Sequence, residues 1–361
     1  MRYSYEASGR DRRGRILRTP PGPRGSNGKE ASLGAAGQPA RRILFKDRLT
    51  IAMKEDLPVC NYEGSDYQDT FWDRGGRAYE DAVEAVALER LLPRAGRCLL
   101  ELGAGAGRNT PRYRGFEQVV LVDYSFTQLQ QARRRLGEAS PDGKTRYRFV
   151  AADIYHLPFV AGLFDTATMI RTLHHMVEPR LALEQVRGTL QREAFFILEF
   201  ANKRNLKSIL RYTMRLQSWN PFSPEPIEFA PLNFDFHPAT VRAWLQVTGF
   251  VVERQLTVSH FRMGIFKRLV PLKILVAMDA LAQHSGDAWQ LSPSVFVRSK
   301  AMGADSSSPS PLGKRPEAFF RCPGCGNDTL MDTPPVLVCP GCGQEYPVKD
   351  GIYDFRLERQ A

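Results

Sequence analysis

The run Leu99-Leu100-Glu101-Leu102-Gly103-Ala104-Gly105-Ala106-Gly107-Arg108 has residue types and a spacing that bear on chemistry. Apolar residues lead to an acid, Glu101, and then to glycine at every second position. The apolar part reads as a buried parallel strand, and the glycines as a turn where backbone must come close to a ligand. A dinucleotide fingerprint would place its third glycine three residues after the second, and Arg108 stands there instead. The loop therefore offers flat, side-chain-free backbone beside an acid rather than a pyrophosphate cradle. A generic glycine-rich turn is the plainer alternative.

A second cluster lies near the end of the chain. Cys322-Pro323-Gly324-Cys325-Gly326 recurs as Cys339-Pro340-Gly341-Cys342-Gly343. Two C-x-x-C pairs at this separation fit a structural zinc held by Cys322, Cys325, Cys339 and Cys342, each pair capping a tight knuckle. Two disulfides or a redox motif are the other readings. Cys60 and Cys98 lie outside the repeat and read as small buried hydrophobes.

The elements that would position the first cluster follow in order. Gln118-Val119-Val120-Leu121-Val122-Asp123 is a second strand ending in a carboxylate, with Tyr124 after it. An acid there is placed to accept hydrogen bonds from two ribose hydroxyls. Residues 146–152 read as a third strand closed by Asp153 and Ile154, and residues 163–170 as a fourth. Arg171, His174 and His175 come next. Either histidine could take a proton near neutral pH; the alternative is that they fix a loop by hydrogen bonding.

This succession resembles the class I S-adenosylmethionine-dependent methyltransferases. The "LPF…FDTATMIRTLHHM" stretch is similar to the branch that includes the quinone-biosynthesis enzymes. The resemblance covers residues 60–300 and implies an α/β fold, a Rossmann-like seven-stranded sheet with helices on both faces. It implies that S-adenosyl-L-methionine binds through Glu101, Gly103, Ala104, Gly105, Gly107, Asp123, Tyr124, Asp153, Ile154 and Arg171, with Asp153 meeting the adenine amino group. His174 and His175 are the candidate catalytic groups. The Asn/Asp-Pro-Pro-Tyr signature of enzymes that methylate planar amino groups is absent, and Arg171-Thr172-Leu173 stands in its place. Residues 344–352 are similar to the small zinc-ribbon family that activates tRNA, rRNA and release-factor methyltransferases. Two roles are open for the ribbon: activator, or cover over an apolar strand edge.

Charge is uneven. Of 50 basic and 39 acidic residues, residues 1–52 hold 12 and 4, so most of the net +11 sits in that segment. A near-neutral body with a basic tail is weak evidence for a nucleic-acid enzyme, whose phosphate affinity needs charge around the site. A hydrophobic content of 43% suits an ordinary core. No apolar run is long enough to span a membrane, and no apolar leader opens the chain. The expected compartment is the cytoplasm.

The domain reading is a disordered basic tail at 1–52, a methyltransferase domain at 53–300, a linker at 301–318 and the ribbon at 319–361. Aromatic residues at 61–77 (Tyr62, Tyr67, Phe71, Trp72) form either a lid or core packing. Residues 201–237 are a substrate-cap insertion. Its first half is read as a basic amphipathic helix with Lys203, Arg204, Lys207, Arg211 and Arg215 opposite Leu206, Ile209, Leu210 and Met214. Its second half, with Trp219, Phe222, Phe229, Phe234 and Phe236, is expected to close the acceptor pocket. Three readings of function remain: methyl transfer to a small molecule, methyl transfer to RNA or protein, and a non-enzymatic cofactor-binding regulator. The basic helix would attract an anionic acceptor or an anionic surface, and a small-molecule acceptor is the expected one.

Overall fold

The computed structural model describes residues 57–65, 70, 72, 74, 76–137, 146–303 and 319–357. The expectations for the tail at 1–52, for Tyr67 and Phe71, and for most of the linker lie outside them. Four parallel strands carry the centre: β1 (Gly96–Leu102), β2 (Phe116–Asp123), β3 (Tyr147–Ala151) and β4 (Phe164–Met169). Leu99, Leu100, Val119, Val120 and Leu121 are all fully buried, so both faces of β1 and β2 are covered. That is why these strands are near-continuous apolar runs rather than alternating ones.

The sheet continues through β5 (Leu190–Ala201), parallel to β4, and then β9 (Ser294–Ala301), antiparallel to β5. Its edge strand is β8 (Phe250–Val258), which pairs antiparallel with β9. The order β3-β2-β1-β4-β5-β9-β8 is the expected seven-stranded core. Helices α1 (Ala78–Leu91), α2 (Phe126–Leu136), α3 (Pro179–Thr189), α4 (Leu206–Thr213), α5 (Pro238–Val247), α6 (Gly264–Leu269) and α7 (Leu272–Ala282) connect or cover these strands. Ser125 caps α2 by accepting the Gln128 N–H at 3.2 Å, which fixes the chain's exit from β2.

The cysteine-bearing segment does not stand apart as a separate module. Strands β10 (Met331–Thr333), β11 (Val336–Val338), β12 (Glu345–Lys349) and β13 (Ile352–Asp354) form an antiparallel succession, and β13 pairs in parallel with β3. Among the described residues the sheet thus has eleven strands. Phe320 bridges to Phe159, and its ring lies 4.9 Å from Tyr353 and 4.7 Å from Phe355. Phe319, Phe320 and Phe355 are buried within the same core as the strands of the main domain. The ribbon therefore covers the apolar edge at β3, one of its two expected roles.

The insertion after β5 differs from its sequence reading. Lys203 is not on a basic helical face. It is buried, donating to Ser223 Oγ at 2.9 Å and to the Glu225 carbonyl at 2.6 Å. Asn205 caps α4 by accepting the Ser208 N–H, so the helix begins only at Leu206. A buried ammonium needs these acceptors, and the competing hydrogen bonds draw the chain out of helical register before Asn205.

Candidate functional site

The C-terminal ends of β1, β2, β3 and β4 open onto one cleft, the crevice position in which open α/β sheets hold ligands. Its floor is the glycine loop. Gly103 has a positive φ, and a Cβ there would meet Thr172 Oγ1 at 2.0 Å, so only glycine allows the loop to lie against Thr172. Gly105 also has a positive φ, but a Cβ there would meet nothing nearer than Gln128 Oε1 at 4.0 Å. Backbone without side chain thus faces open space, which is the cradle a ligand would fill.

Asp123 closes one side. Its Oδ2 accepts the Gly105 N–H at 2.8 Å and its Oδ1 accepts the Ser125 N–H at 2.9 Å. The carboxylate thereby ties the glycine loop to the start of α2 and keeps spare lone pairs for a ligand. Burial pushes its pKa up, and the two N–H donors oppose that shift. Gln128 Oε1 also lines the cleft, buried and without a partner among the described residues. An unmet acceptor in this place is what a ligand donor would satisfy.

Glu101 is buried at the base. It accepts from Thr110 Oγ1 at 2.6 Å and from the Tyr113 hydroxyl at 3.3 Å. Burial pushes its pKa up to about 7, against the opposing effect of those two hydrogen bonds. Beyond it sits a charged group that the sequence did not reveal. Glu84, fully buried on α1, accepts from Arg108 Nη2 and Arg171 Nε, both at 2.7 Å. Burial alone would raise its pKa, but Arg171 and Arg108 hold it below the usual carboxylate range. The Arg108 guanidinium stacks 3.6 Å from the centre of the Trp72 ring. Arg171 adopts a left-handed backbone, with its N–H donated to Glu199.

The roof comes from opposite ends of the fold. His175 Nδ1 lies 2.9 Å from the Leu232 carbonyl, and Nε2 lies 3.3 Å from the Tyr62 hydroxyl. A carbonyl only accepts, so Nδ1 carries the proton and Nε2 accepts from Tyr62. Both ring nitrogens are thus engaged. Burial lowers the pKa of His175, and that of His174 still more strongly. Leu232 belongs to the hairpin of β6 (Ile227–Ala230) and β7 (Asn233–Asp235), so one histidine links the segment before α1 to the insertion after β5.

Most expected site residues come together here. Glu101, Gly103, Ala104, Gly105, Asp123, Tyr124, Ile154, Arg171 and His175 line the cleft, while Gly107, Asp153 and His174 are not among its lining residues. Gly107 instead turns the loop and packs near Leu136 and Ala132 of α2. Asp153 caps a short turn, accepting the Tyr155 N–H at 2.9 Å. Tyr62, Trp72, Arg108, Thr172 and Gln128 also line the cleft. Of these, Tyr62 and Trp72 carried a sequence signal as half of the lid-or-packing alternative, and Arg108 stood at the end of the glycine run. The aromatic cap differs from expectation: none of Trp219, Phe222, Phe229, Phe234 or Phe236 lines the cleft. Phe236 is core, packed edge-on against Trp244 at 5.5 Å, and Trp219 packs on Phe229.

Comparison with known proteins agrees with this geometry. A methyltransferase-domain family model matches residues 100–198, from the glycine loop to β5. A demethylmenaquinone methyltransferase of Clavibacter sepedonicus is 30% identical over 196 residues, covering 49% of this chain and 76% of that protein. The chain belongs to the S-adenosylmethionine-dependent methyltransferases. Other relatives are matched over less of their length. The O-methyltransferase cnsE of Penicillium expansum is 36% identical over 104 residues, 28% of this methyltransferase and 37% of cnsE. A tRNA U34 carboxymethyltransferase of Psychrobacter arcticus is 30% identical over 111 residues, 29% of this chain and 32% of that enzyme.

The second cluster is assembled as its spacing implies. The Sγ atoms of Cys322, Cys325, Cys339 and Cys342 all lie within 4.8 Å of one another. Cys322 and Cys342 are 3.6 Å apart at sulfur, and Cys325 and Cys339 are 3.5 Å apart. A disulfide would be near 2 Å, and all six cysteines are free thiols. Four thiolates about 2.3 Å from one tetrahedral ion would stand nearly 4 Å from each other, close to the observed separations. The Tyr346 hydroxyl sits 3.0 Å from Cys322 Sγ, in position to support that ligand. Among the described residues no helix is long and apolar enough to cross a membrane.

Proposed function

We propose that this methyltransferase passes the methyl group of S-adenosylmethionine to a small, apolar acceptor inside the cleft. The bound sulfonium supplies an electrophilic methyl carbon and a neutral thioether leaving group. In this reading Asp123 accepts the two ribose hydroxyls, while the side-chain-free backbone at Gly103–Gly105 lies against the methionine part. Ile154 and Tyr124 flank the base. Ionised Glu101 pairs with the ammonium group, and Arg108 and Arg171, held in place by Glu84, answer the carboxylate. Methyl transfer is an in-line displacement, so the protein's work is chiefly alignment and exclusion of water. His175 is read as a holding group rather than a base, because both its nitrogens are engaged.

The observation that carries the small-acceptor reading is the roof. Tyr62 and His175 both line the cleft and are bonded to each other, and the Leu232 carbonyl holds His175 from behind, so this wall is a tied one that leaves room for a small acceptor more readily than for a polymer. Relatives named for demethylmenaquinone and for O-methylation support the same reading. We further propose one zinc per chain on the four cysteines, with a structural role, since all four positions are filled by thiolates and none is left for substrate.

Calorimetric titration with S-adenosylmethionine tests the cofactor reading. Affinity should be saturable, at one site per chain. Because Glu101 has its pKa raised toward 7, it is largely protonated at pH 6 and ionised at pH 8. Affinity is therefore expected to rise roughly tenfold between those pH values. The Glu101→Gln variant should bind more weakly, with no such rise. A wild-type affinity that is flat from pH 6 to 8 would remove Glu101 from the ammonium site.

The roof has its own test. His175→Phe removes two partly buried hydrogen bonds worth about 1 kcal/mol each, so the melting temperature should fall by several degrees. Cofactor affinity should change little. In the wild type the lowered pKa of His175 means its contribution is intact above about pH 6.5 and fades as pH falls below that value. Melting curves at pH 7.5 and 5.5, compared between wild type and variant, read this directly.

A further inference from the structure

Two segments leave the sheet on the rim that carries the cleft. β5 runs parallel to β4, and both β5 and β8 run antiparallel to the β9 strand between them. The chain after β5 forms α4 and the chain after β8 forms α6 and α7, so both emerge at the same edge as the C-terminal ends of β1 and β4.

α7 buries Leu275 and the polar Asp279, with Gln283 buried just past its end, and the Asp279 carboxylate accepts the Tyr79 hydroxyl at 2.6 Å and the His260 N–H at 2.8 Å. Ile274, Met278 and Leu281 point to solvent, Leu281 being 77% exposed. α6 has no buried residue, and Leu269 at its end is 75% exposed. α4 repeats the pattern, with Leu206, Leu210 and Met214 all exposed. A surface helix normally turns such residues to the core, and apolar patches of this kind mark an interaction face.

Charge identifies what the face meets. Residues 203–224 contain Lys203, Arg204, Lys207, Arg211 and Arg215 and no acid; residues 260–278 contain Arg262, Lys267, Arg268 and Lys273 and no acid. Lys203 is buried, and Lys267 is paired with Glu80 at 2.6 Å. Lys207, Arg211, Arg215, Arg268 and Lys273 remain exposed among the apolar side chains. A second copy docked symmetrically would oppose cations to cations. An anionic bilayer accepts both features, the apolar groups at the acyl boundary and the cations on phosphates.

We propose that α4, α6 and α7 seat this methyltransferase on an anionic lipid surface, with the mouth of the cleft on the seated rim. The rest of the inference builds on the small-acceptor reading: the acceptor is an apolar molecule dissolved in that surface.

Co-sedimentation of the full chain with vesicles tests this, using phosphatidylcholine alone and phosphatidylcholine mixed with phosphatidylglycerol. The wild type should bind the mixed vesicles, and more weakly at raised salt. Leu269→Glu with Leu281→Glu, and separately Arg268→Glu with Lys273→Glu, should each weaken binding by about tenfold or more. Calorimetry with S-adenosylmethionine should give wild-type affinity for both double variants, which establishes that they are folded. It also reports on the cofactor reading independently of the vesicles. Wild-type protein left in solution with both vesicle types would overturn the proposal, as would undiminished binding by the Leu→Glu pair. Sedimentation equilibrium showing a wild-type dimer that the Leu→Glu pair converts to monomer would overturn it in favour of a second copy.

Discussion

Replacing Asp123 by alanine is expected to weaken S-adenosylmethionine binding by at least about a hundredfold. Two effects combine. The carboxylate is the proposed acceptor for two ribose hydroxyls, at about 1.5–3 kcal/mol for each charge-assisted bond. It also holds the Gly105 N–H, so its loss leaves the glycine loop tied to the end of β2 only by the backbone bond from Ala104 N–H to the Val122 carbonyl. Asp123→Asn keeps an acceptor oxygen and should lose less. Calorimetry gives the comparison directly, and equal affinity for wild type and Asp123→Ala would contradict the placement of the ribose.

Removing metal from the cysteine cluster, or replacing Cys322 and Cys339 by serine, is expected to destabilise the whole domain. Structural zinc sites contribute folding free energy directly, up to about 10 kcal/mol or more in small modules. In a detached ribbon that loss would stay local. Here β13 is a strand of the main sheet, and Phe320 and Phe355 belong to the main core. Stripping the ribbon would expose the edge of β3 and the rings beneath it. The melting temperature of the full chain should fall by more than about 10 °C. Metal analysis should give one zinc per chain before treatment. A metal-free protein with an unchanged melting temperature would contradict both the zinc and its structural role.

The glycine loop, the acids at the ends of β1 and β2, and the paired cysteines are legible in the sequence because each is short and chemically restrictive. Only glycine fits at 103, and few ion sites other than a four-thiolate one fit two C-x-x-C pairs. Asp153 shows where such reading stops. An acid after a strand can serve a ligand, its own backbone or both, and the sequence did not reveal that Asp153 Oδ1 accepts the Tyr155 N–H.

The pairing of β13 with β3 was not legible, since only Ile352, Tyr353 and Asp354 take part and the partner lies some two hundred residues earlier. The same holds for the roof, where His175 joins Tyr62 to Leu232 across the fold. Lys203 misled for a different reason. Its spacing fits a basic helical face, but the acceptors that bury it, Ser223 and Glu225, lie in a loop whose path the periodicity does not encode.

The most direct test of the central claim follows the methyl group itself. Purified protein is incubated with S-adenosylmethionine labelled at its methyl carbon and with a heat-treated extract, which is then separated into organic-soluble, RNA and protein fractions. Label is expected in the organic-soluble fraction, and in none of the three when Asp123→Ala replaces the wild type at cofactor concentrations near the wild-type Kd. Label appearing in the RNA or protein fraction instead would contradict transfer to a small apolar acceptor.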